Sequence, residues 1–285
     1  MTEQQDKTEP TPAPSREPAD DSGKRTQFLI GTSILGVIVV VGLAISAVIA
    51  FRGVDEPLVP ASPDALSSTV DAPSDEFEQD PYLDELGRVV YVPLEENGVM
   101  LDQTSTPSGR ADTVAPSGVM LQRIHGNMIV PFSESDGPST FTGAGVATGF
   151  ARTAQGAGLA AAHYYGYLAG GNDRIKMLQD GGLVEDVNGL LAEQKKYNLT
   201  GKPSSVKDGS PSYALPYVKV DYNSDLSRVH LGITRNMADG STQNLEIWTD
   251  LVWRDGTGWV VKIRDAATMG AKKVSEFGTG WSKWW

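Results

Sequence analysis

Twenty-four consecutive residues without a charge, FLIGTSILGVIVVVGLAISAVIAF from Phe28 to Phe51, constrain this chain more than any other feature. As a helix rising ~1.5 Å per residue the stretch is about 36 Å long, enough to cross a ~30 Å hydrocarbon core with some tilt. Only a helix satisfies all of its own backbone groups in lipid, so the stretch predicts one transmembrane helix. Everything before it then lies on one side of a membrane and everything after it on the other.

The flanking charges orient it. Arg16, Lys24 and Arg25 precede the span, whereas Arg52 follows it and is succeeded by Asp55 and Glu56. Cationic residues favour the cytoplasmic side, which puts the N-terminus inside and the long C-terminal part outside the cell membrane. A signal peptide cut after Val48-Ile49-Ala50 is the competing reading, but its apolar region would be about 7–15 residues, shorter than this one. Within the span Gly42, Ser46 and Ala50 recur at spacing four, a small-residue stripe that would let two helices approach closely and so marks the place to look for self-association.

Charge divides the remainder. The chain of 285 residues carries a net charge of −12, and ten of its acids fall in residues 52–88 against only Arg52 and Arg88. Residues 89–285 are close to neutral and hold no basic tract, which excludes direct nucleic-acid binding through phosphate neutralisation. There is no cysteine, so disulfides, thiolate nucleophiles and cysteine metal sites are excluded, and the folded part must rest on its core.

Residues 1–27 are rich in Pro, Glu, Asp, Thr and Ser with almost no large apolar side chains, which predicts a disordered cytoplasmic tail. Residues 52–81 read as an acidic, proline-stiffened linker. From 82 to 139 the signals are weak: GRVVYVPLE and VMLQRIHGNMIVPF read as short extended segments, the second with a turn at Gly126-Asn127, and together as an extended arm or small β unit. Residues 140–285 read as an extracytoplasmic α+β domain with a Trp-rich C-terminal tail. Thr153 is a good N-cap for a helix through TAQGAGLAAAHYYGYLAGG, with Ala157, Ala160, Ala161, Tyr164 and Leu168 on one face. A short helix follows over Asp173 to Gln179. A third is predicted from Leu183 to about Tyr197, where Leu183, Val184, Val187, Leu190 and Leu191 keep helical spacing. Then the period becomes two. Val218 and Val220, Val229 to Ile233, Leu245 to Trp253, and Trp259 to Ile263 alternate as four strands of an antiparallel meander. Helices laid on one face of such a sheet are an α+β layout.

Three helices followed by a curved meander that ends in the hairpin WRDGTGWVVKI resemble the nuclear transport factor 2-like (cystatin-like) fold. The segment GFARTAQGAGLAAAHYYGY, Gly149 to Tyr167, resembles a stretch of uncharacterised actinobacterial single-pass membrane proteins associated with mobile elements. With the short tail, single anchor and acidic linker, the layout is similar to that of TcpC-like conjugation proteins and of bitopic type IV secretion assembly factors. The resemblance implies an α+β roll behind a single transmembrane helix. It also implies a non-enzymatic scaffold or assembly subunit that acts through protein-protein contacts, including self-association. The alternative is an extracytoplasmic domain that binds or senses a small ligand.

Chemistry is scarce. His163 beside Tyr164, Tyr165 and Tyr167 could move protons, though an amphipathic core helix explains these residues as well. His230 alternates with Val229 and Leu231 and so is expected to face solvent, while His125 lies at a turn. The three histidines lack metal-ligand spacing. Asp221 and Asp250 sit on polar strand faces. Gly143, Gly145 and Gly149 lack the strand that a nucleotide loop requires, and no phosphate loop or nucleophile elbow is present. Asn198-Leu199-Thr200 is a sequon by pattern only. The reading therefore assigns no catalytic residue, cofactor or metal. The oddest feature is the tail WSKWW: Trp281, Trp284 and Trp285 are the candidates for a partner interface, or for a segment folded back over a gap in its own domain.

Overall fold

The computed structural model describes residues 75–192, 212–237, 239–265 and 267–285. The stretch Phe28–Phe51 with Gly42, Ser46 and Ala50, the tail at 1–27, linker residues 52–74 and the Asn198 sequon lie outside these residues. Among the described residues no helix is long and apolar enough to cross a membrane. The expected placement in a cell membrane, N-terminus cytoplasmic and domain extracytoplasmic, is set aside on that finding.

The elements run β1 (Tyr82–Leu83), β2 (Val89–Tyr91), β3 (Val119–Ile124), β4 (Met128–Ser133), β5 (Thr140–Phe141) and β6 (Ala147–Thr148). Helices α1 (Ala154–Ala169) and α2 (Asn172–Asp180) follow, then β7 (Val184–Asp186), β8 (Ser212–Tyr213), β9 (Tyr217–Asp221), β10 (Leu226–Asn236) and β11 (Thr242–Arg254). The last are β12 (Gly258–Ile263), β13 (Met269–Val274) and β14 (Ser282–Lys283). Strands β1-β2-β3-β4-β8 form a five-stranded sheet. A seven-stranded sheet has the order β14-β9-β10-β11-β12-β7, with β13 also on β11, and β5 pairs with β6.

Helix α1 lies between the two large sheets, packed on β4 and β8 on one side and on β9, β10, β11 and β12 on the other. Its sequence requires this. AQGAGLAAAHYYGYLA offers no polar face, and every residue except Tyr165 and Ala169 is buried. A helix that is apolar all round needs cover all round. Thr153 caps it as expected, in an extended conformation with its Oγ1 accepting from Gly156 N–H at 2.9 Å. At the other end Gly170 N–H donates to Tyr167 O, and Gly171 at φ 103° turns the chain into α2.

This architecture overturns the predicted α+β roll, nuclear transport factor 2-like in form. Strands predominate, two curled sheets replace one, and only α1 and α2 are complete helices among the described residues. Two stretches account for the difference. The extended pair with a turn read from Val119 to Phe132 is present as the β3–β4 hairpin, but it supplies a second sheet and shares one apolar core with the C-terminal half, from Phe77 and Phe132 through Tyr164 to Trp259 and Trp284. The third predicted helix begins instead with β7, a parallel strand on β12. Gly182 (φ 69°) and Gly189 (φ 72°) break the helical run on either side, and helix resumes only at Leu190, where Asp186 accepts the N–H groups of Leu190 and Leu191.

The meander itself is present. β10 pairs antiparallel with β9 and β11, and β11 with β12, placing Val229, Leu231, Ile247 and Leu251 on the helix side. β12 and β13 share one edge of β11: Lys262 opposes Asp250 and Met269 opposes Thr249, so the chain after Ile263 leaves the edge of β11 and returns at the adjacent register position.

The C-terminal segment joins the layers. β14 pairs with β9, and Trp284 is buried (6% exposed) with its ring against Gly158 of α1. Trp285 packs on a small separate cluster of Val90, Leu121, Ile129 and Ala214 on the five-stranded sheet, and its Nε1–H donates to Leu215 O at 2.9 Å. A Cβ at Gly158 would collide with the Trp284 ring. In an open helix Gly→Ala stabilises by about 1 kcal/mol, but forced overpacking costs about 1–3 kcal/mol. Gly158→Ala is therefore expected to destabilise the native chain and to stabilise a Trp284→Ala chain, itself weaker by about 3–5 kcal/mol. Urea unfolding of the four species checks the reversal of sign, and equal effects in both backgrounds would refute the contact.

Candidate functional site

Polar side chains gather in three regions of the fold. The first is internal. His163 is fully buried on α1, its ring edge-on to Phe132 and Phe150 at 5.1 Å each and its Nε2 at 2.8 Å from Pro131 O. His125, in the β3–β4 turn at φ 47°, is buried too, with Nε2 at 2.8 Å from the Tyr167 hydroxyl. Arg174 of α2 holds that turn, donating to His125 O and to Asn127 Oδ1. Burial above all, with the Arg174 charge second, lowers His125 to about 4. Burial also lowers His163 to about 4. Burial raises Tyr164, Tyr165 and Tyr167 well above the ordinary phenol range. Among these groups, Tyr164 donates to Trp259 O, a tie between α1 and the seven-stranded sheet. The histidine beside tyrosines is thus a neutral core group held away from solvent.

The second region is a cleft of about 250 Å³ at the start of α1, lined by Thr106 to Arg110, Asp112, Arg152 to Gln155 and Tyr222. Two of its lining side chains, Arg110 and Thr153, are engaged by a carboxylate of the chain itself. Asp136, buried, accepts from Arg110 Nη1 and Nη2 at 2.9 and 2.6 Å, from Ser135 Oγ at 2.5 Å and from the capping Thr153 Oγ1 at 2.8 Å. Arg152 pairs with Asp225 and lies over the Trp253 ring. The positive end of α1 is therefore already met by Asp136.

The third region is the outer face of the seven-stranded sheet. Tyr217, Lys219 and Asp221 of β9 oppose Gly232, His230 and Arg228 of β10, which oppose Glu246, Trp248 and Asp250 of β11. Two positions in this grid are glycines with aromatics lying on them: Phe277 and Trp281 cover Gly232, and Trp248 covers Gly270 of β13. An aromatic band results. Tyr217 stacks on Phe277 at 4.5 Å, Phe277 meets Trp281 at 4.8 Å, Trp281 stands edge-on to His230 at 6.1 Å, and Lys272 Nζ lies 5.7 Å over Trp248. Tyr217, Trp248, Phe277 and Trp281 all remain partly exposed. Around them the charges pair across strands, Arg228 with Asp250 at 2.6 Å, His230 with Glu246 at 2.8 Å and Asp221 at 3.1 Å, and Lys272 with Glu246 at 3.4 Å.

The three tail tryptophans part company here. Trp281 lies on the outer face, Trp284 is plugged against α1, and Trp285 reaches the other sheet. His230 is not solvent-facing as the alternation implied, because Trp281 covers it and carboxylates flank it, leaving its side chain 13% exposed. Asp221 and Asp250 serve in the pairings of this face. Among the described residues no group of three or more His, Asp and Glu is arranged to hold a metal ion, and Asp221 and Glu246 occupy different nitrogens of His230 rather than converging on one point. Sequence reasoning missed the band, although one signal was available: a glycine inside a strand, as at Gly232 in HLGIT, marks a close approach by another group.

Residues 93–283 match the model of a family described as a domain of unknown function, DUF8175. The chain belongs to that family. The matched span takes in α1, the seven-stranded sheet and the tail as far as Lys283. No curated protein matches the chain, and no solved structure matches it.

The two inner histidines make a pH dependence. Their folded values lie near 4, below the ordinary 6.5, so the unfolded chain binds protons first as pH falls. Stability is full above about pH 6.5 and drains between there and about pH 4, by about 3 kcal/mol for each histidine. His163→Leu gives up a hydrogen bond of about 1 kcal/mol at pH 7 and is expected to lose roughly half of the acid slope. Urea midpoints from pH 4 to 7.5 measure it, and an unchanged slope would contradict the assignment.

Proposed function

We propose that this chain works non-enzymatically, as a scaffold or assembly subunit that contacts other proteins, and that the aromatic band on the outer face of the seven-stranded sheet is where it does so. The carrying observation is the band itself, four partly exposed aromatic side chains, Tyr217, Phe277, Trp281 and Trp248, held on a rigid floor. Tryptophan and tyrosine are enriched at interface centres because they bury much area with little loss of conformational freedom, and they recur among residues whose removal costs most. The surrounding charges support the same reading. Each is partnered within the chain, so a partner can cover the rim without stranding a bare ion.

Small-ligand binding has less in its favour. Ligand pockets usually span about 300–1,000 Å³, whereas the cleft at α1 is about 250 Å³ and its arginines are paired with Asp136 and Asp225. The narrower expectation, a subunit of a conjugation-like export apparatus, leaned on the helix-on-sheet roll, so the proposal here is protein contact in general.

A photo-crosslinking residue placed at Lys272, on the band, and at Thr140, on β5 and exposed, tests it in the native host. Discrete protein adducts are expected from position 272 and none from 140. Trp248→Ala is expected to lower the 272 adducts at least tenfold, the size that removal of a central aromatic produces. Adducts from 140 alone, or adducts at 272 indifferent to Trp248, would overturn the proposal.

A further inference from the structure

The band contains one arrangement that the docking proposal does not use. His230 bridges three strands: Nδ1 is 2.8 Å from Glu246 Oε1 on β11, and Nε2 is 3.1 Å from Asp221 Oδ2 on β9. Ionised carboxylates only accept hydrogen bonds. Both contacts can therefore be hydrogen bonds only when both ring nitrogens carry protons. A neutral ring has one proton, and its other nitrogen would face a carboxylate oxygen with a lone pair.

We propose that the Asp221–His230–Glu246 bridge is a proton-operated fastening for the C-terminal strap, Phe277 to Trp285, tight when His230 is an imidazolium and slack when it is neutral. Trp281 stands edge-on over the ring at 6.1 Å, and Trp281 and Phe277 together cover the neighbouring Gly232. A ring pinned at both nitrogens gives Trp281 a fixed surface to stand on.

The charged groups around the bridge favour a clean two-state response. On β9, Lys219 Nζ lies 3.3 Å from Asp221; on β13, Lys272 lies 3.4 Å from Glu246; on β10 itself, Arg228 is committed to Asp250. When the imidazole loses its proton each carboxylate keeps a lysine, so the carboxylates stay in place and the ring is what comes free. The strap's other holds include the Tyr217–Phe277 stack at its start and, at its end, two register positions between β14 and β9, the Trp284 plug with its backbone N–H on Pro216 O, and the Trp285 hydrogen bond to Leu215 O. Exposed Gly278 and Thr279, with Gly280 at φ 86°, connect Phe277 to those at the end and give the outer part of the strap freedom to lift by itself.

The direction is opposite to that of the inner histidines: the fastening needs the protonated ring and is lost with its proton. It does not depend on the docking proposal, although it would give the band two states.

Indole N–H resonances of the full chain, which has six tryptophans, report it directly, assigned by single Trp→Phe substitutions and followed with pH beside the His230 ring signal. The Trp281 resonance is expected to move with the same midpoint as His230, while those of Trp253 and Trp259 stay still. In His230→Gln the Trp281 movement is expected to vanish with the Trp259 signal unchanged. Should that variant fail to fold, Asp221→Asn keeps the histidine and removes one acceptor, and both midpoints are expected to fall together. A Trp281 signal that ignores the His230 titration, that titrates equally in His230→Gln, or whose midpoint stays put in Asp221→Asn would overturn the proposal.

Discussion

The structure depends on a helix with nowhere polar to turn. α1 carries alanine, glycine, leucine and aromatic side chains around its whole circumference, and even His163 is consumed internally by Pro131 O. Such a helix cannot lie on one sheet with its back to water, because the uncovered face would expose apolar area worth about 25 cal/mol per Å². The two sheets follow from that requirement. So do the helix glycines: Gly158 and Gly166 leave room for Trp284 and Met128 to approach the helix closely.

Polarity is partitioned by side. Inside, the histidines and tyrosines are kept neutral by burial, His163 against Pro131 O and His125 between the Tyr167 hydroxyl at Nε2 and Glu96, 3.8 Å from Nδ1. Charge inside is partnered: Arg174 donates to His125 O and Asn127 Oδ1, and Asp136 accepts from Arg110, Ser135 and Thr153 at once. Outside, on the seven-stranded sheet, charges are left ionised and matched across neighbouring strands, where cross-strand pairs contribute most.

What could be read from the sequence was local and strongly periodic. The Thr153 cap, the stop at Gly170-Gly171, the short second helix and the alternation through β9 to β12 each depend on neighbouring residues, and each is present. What escaped was non-local. Val119 to Phe132 has no stripe of its own because every residue of β4 is buried, so its partnership with α1 left no alternation to detect. The apolar spacing over Leu183 to Leu191 suited a helix or a strand followed by a turn, and the glycines at 182 and 189 decided between them. For the candidate site, the aromatic residues were visible but their meeting was not. Tyr217, Trp248 and Phe277 are far apart in sequence; the register of β9, β10 and β11 brings the first two to one face, and Phe277 joins them by lying over Gly232.

The shared edge of β11 has a consequence for how this architecture can vary. Strand β12 ends its pairing with β11 at Asp250 and β13 resumes at Thr249, so the chain makes an excursion between Ile263 and Met269 without spending a register position of β11. Asp265 folds that excursion on itself, accepting from Ala267 and Thr268, and Arg228 secures it through Ala267 O. Length added between Arg264 and Thr268 would leave the rungs on either side in step, which makes this corner the natural place for the sheet to accept an inserted segment, whether by evolutionary drift or as the attachment point of a reporter.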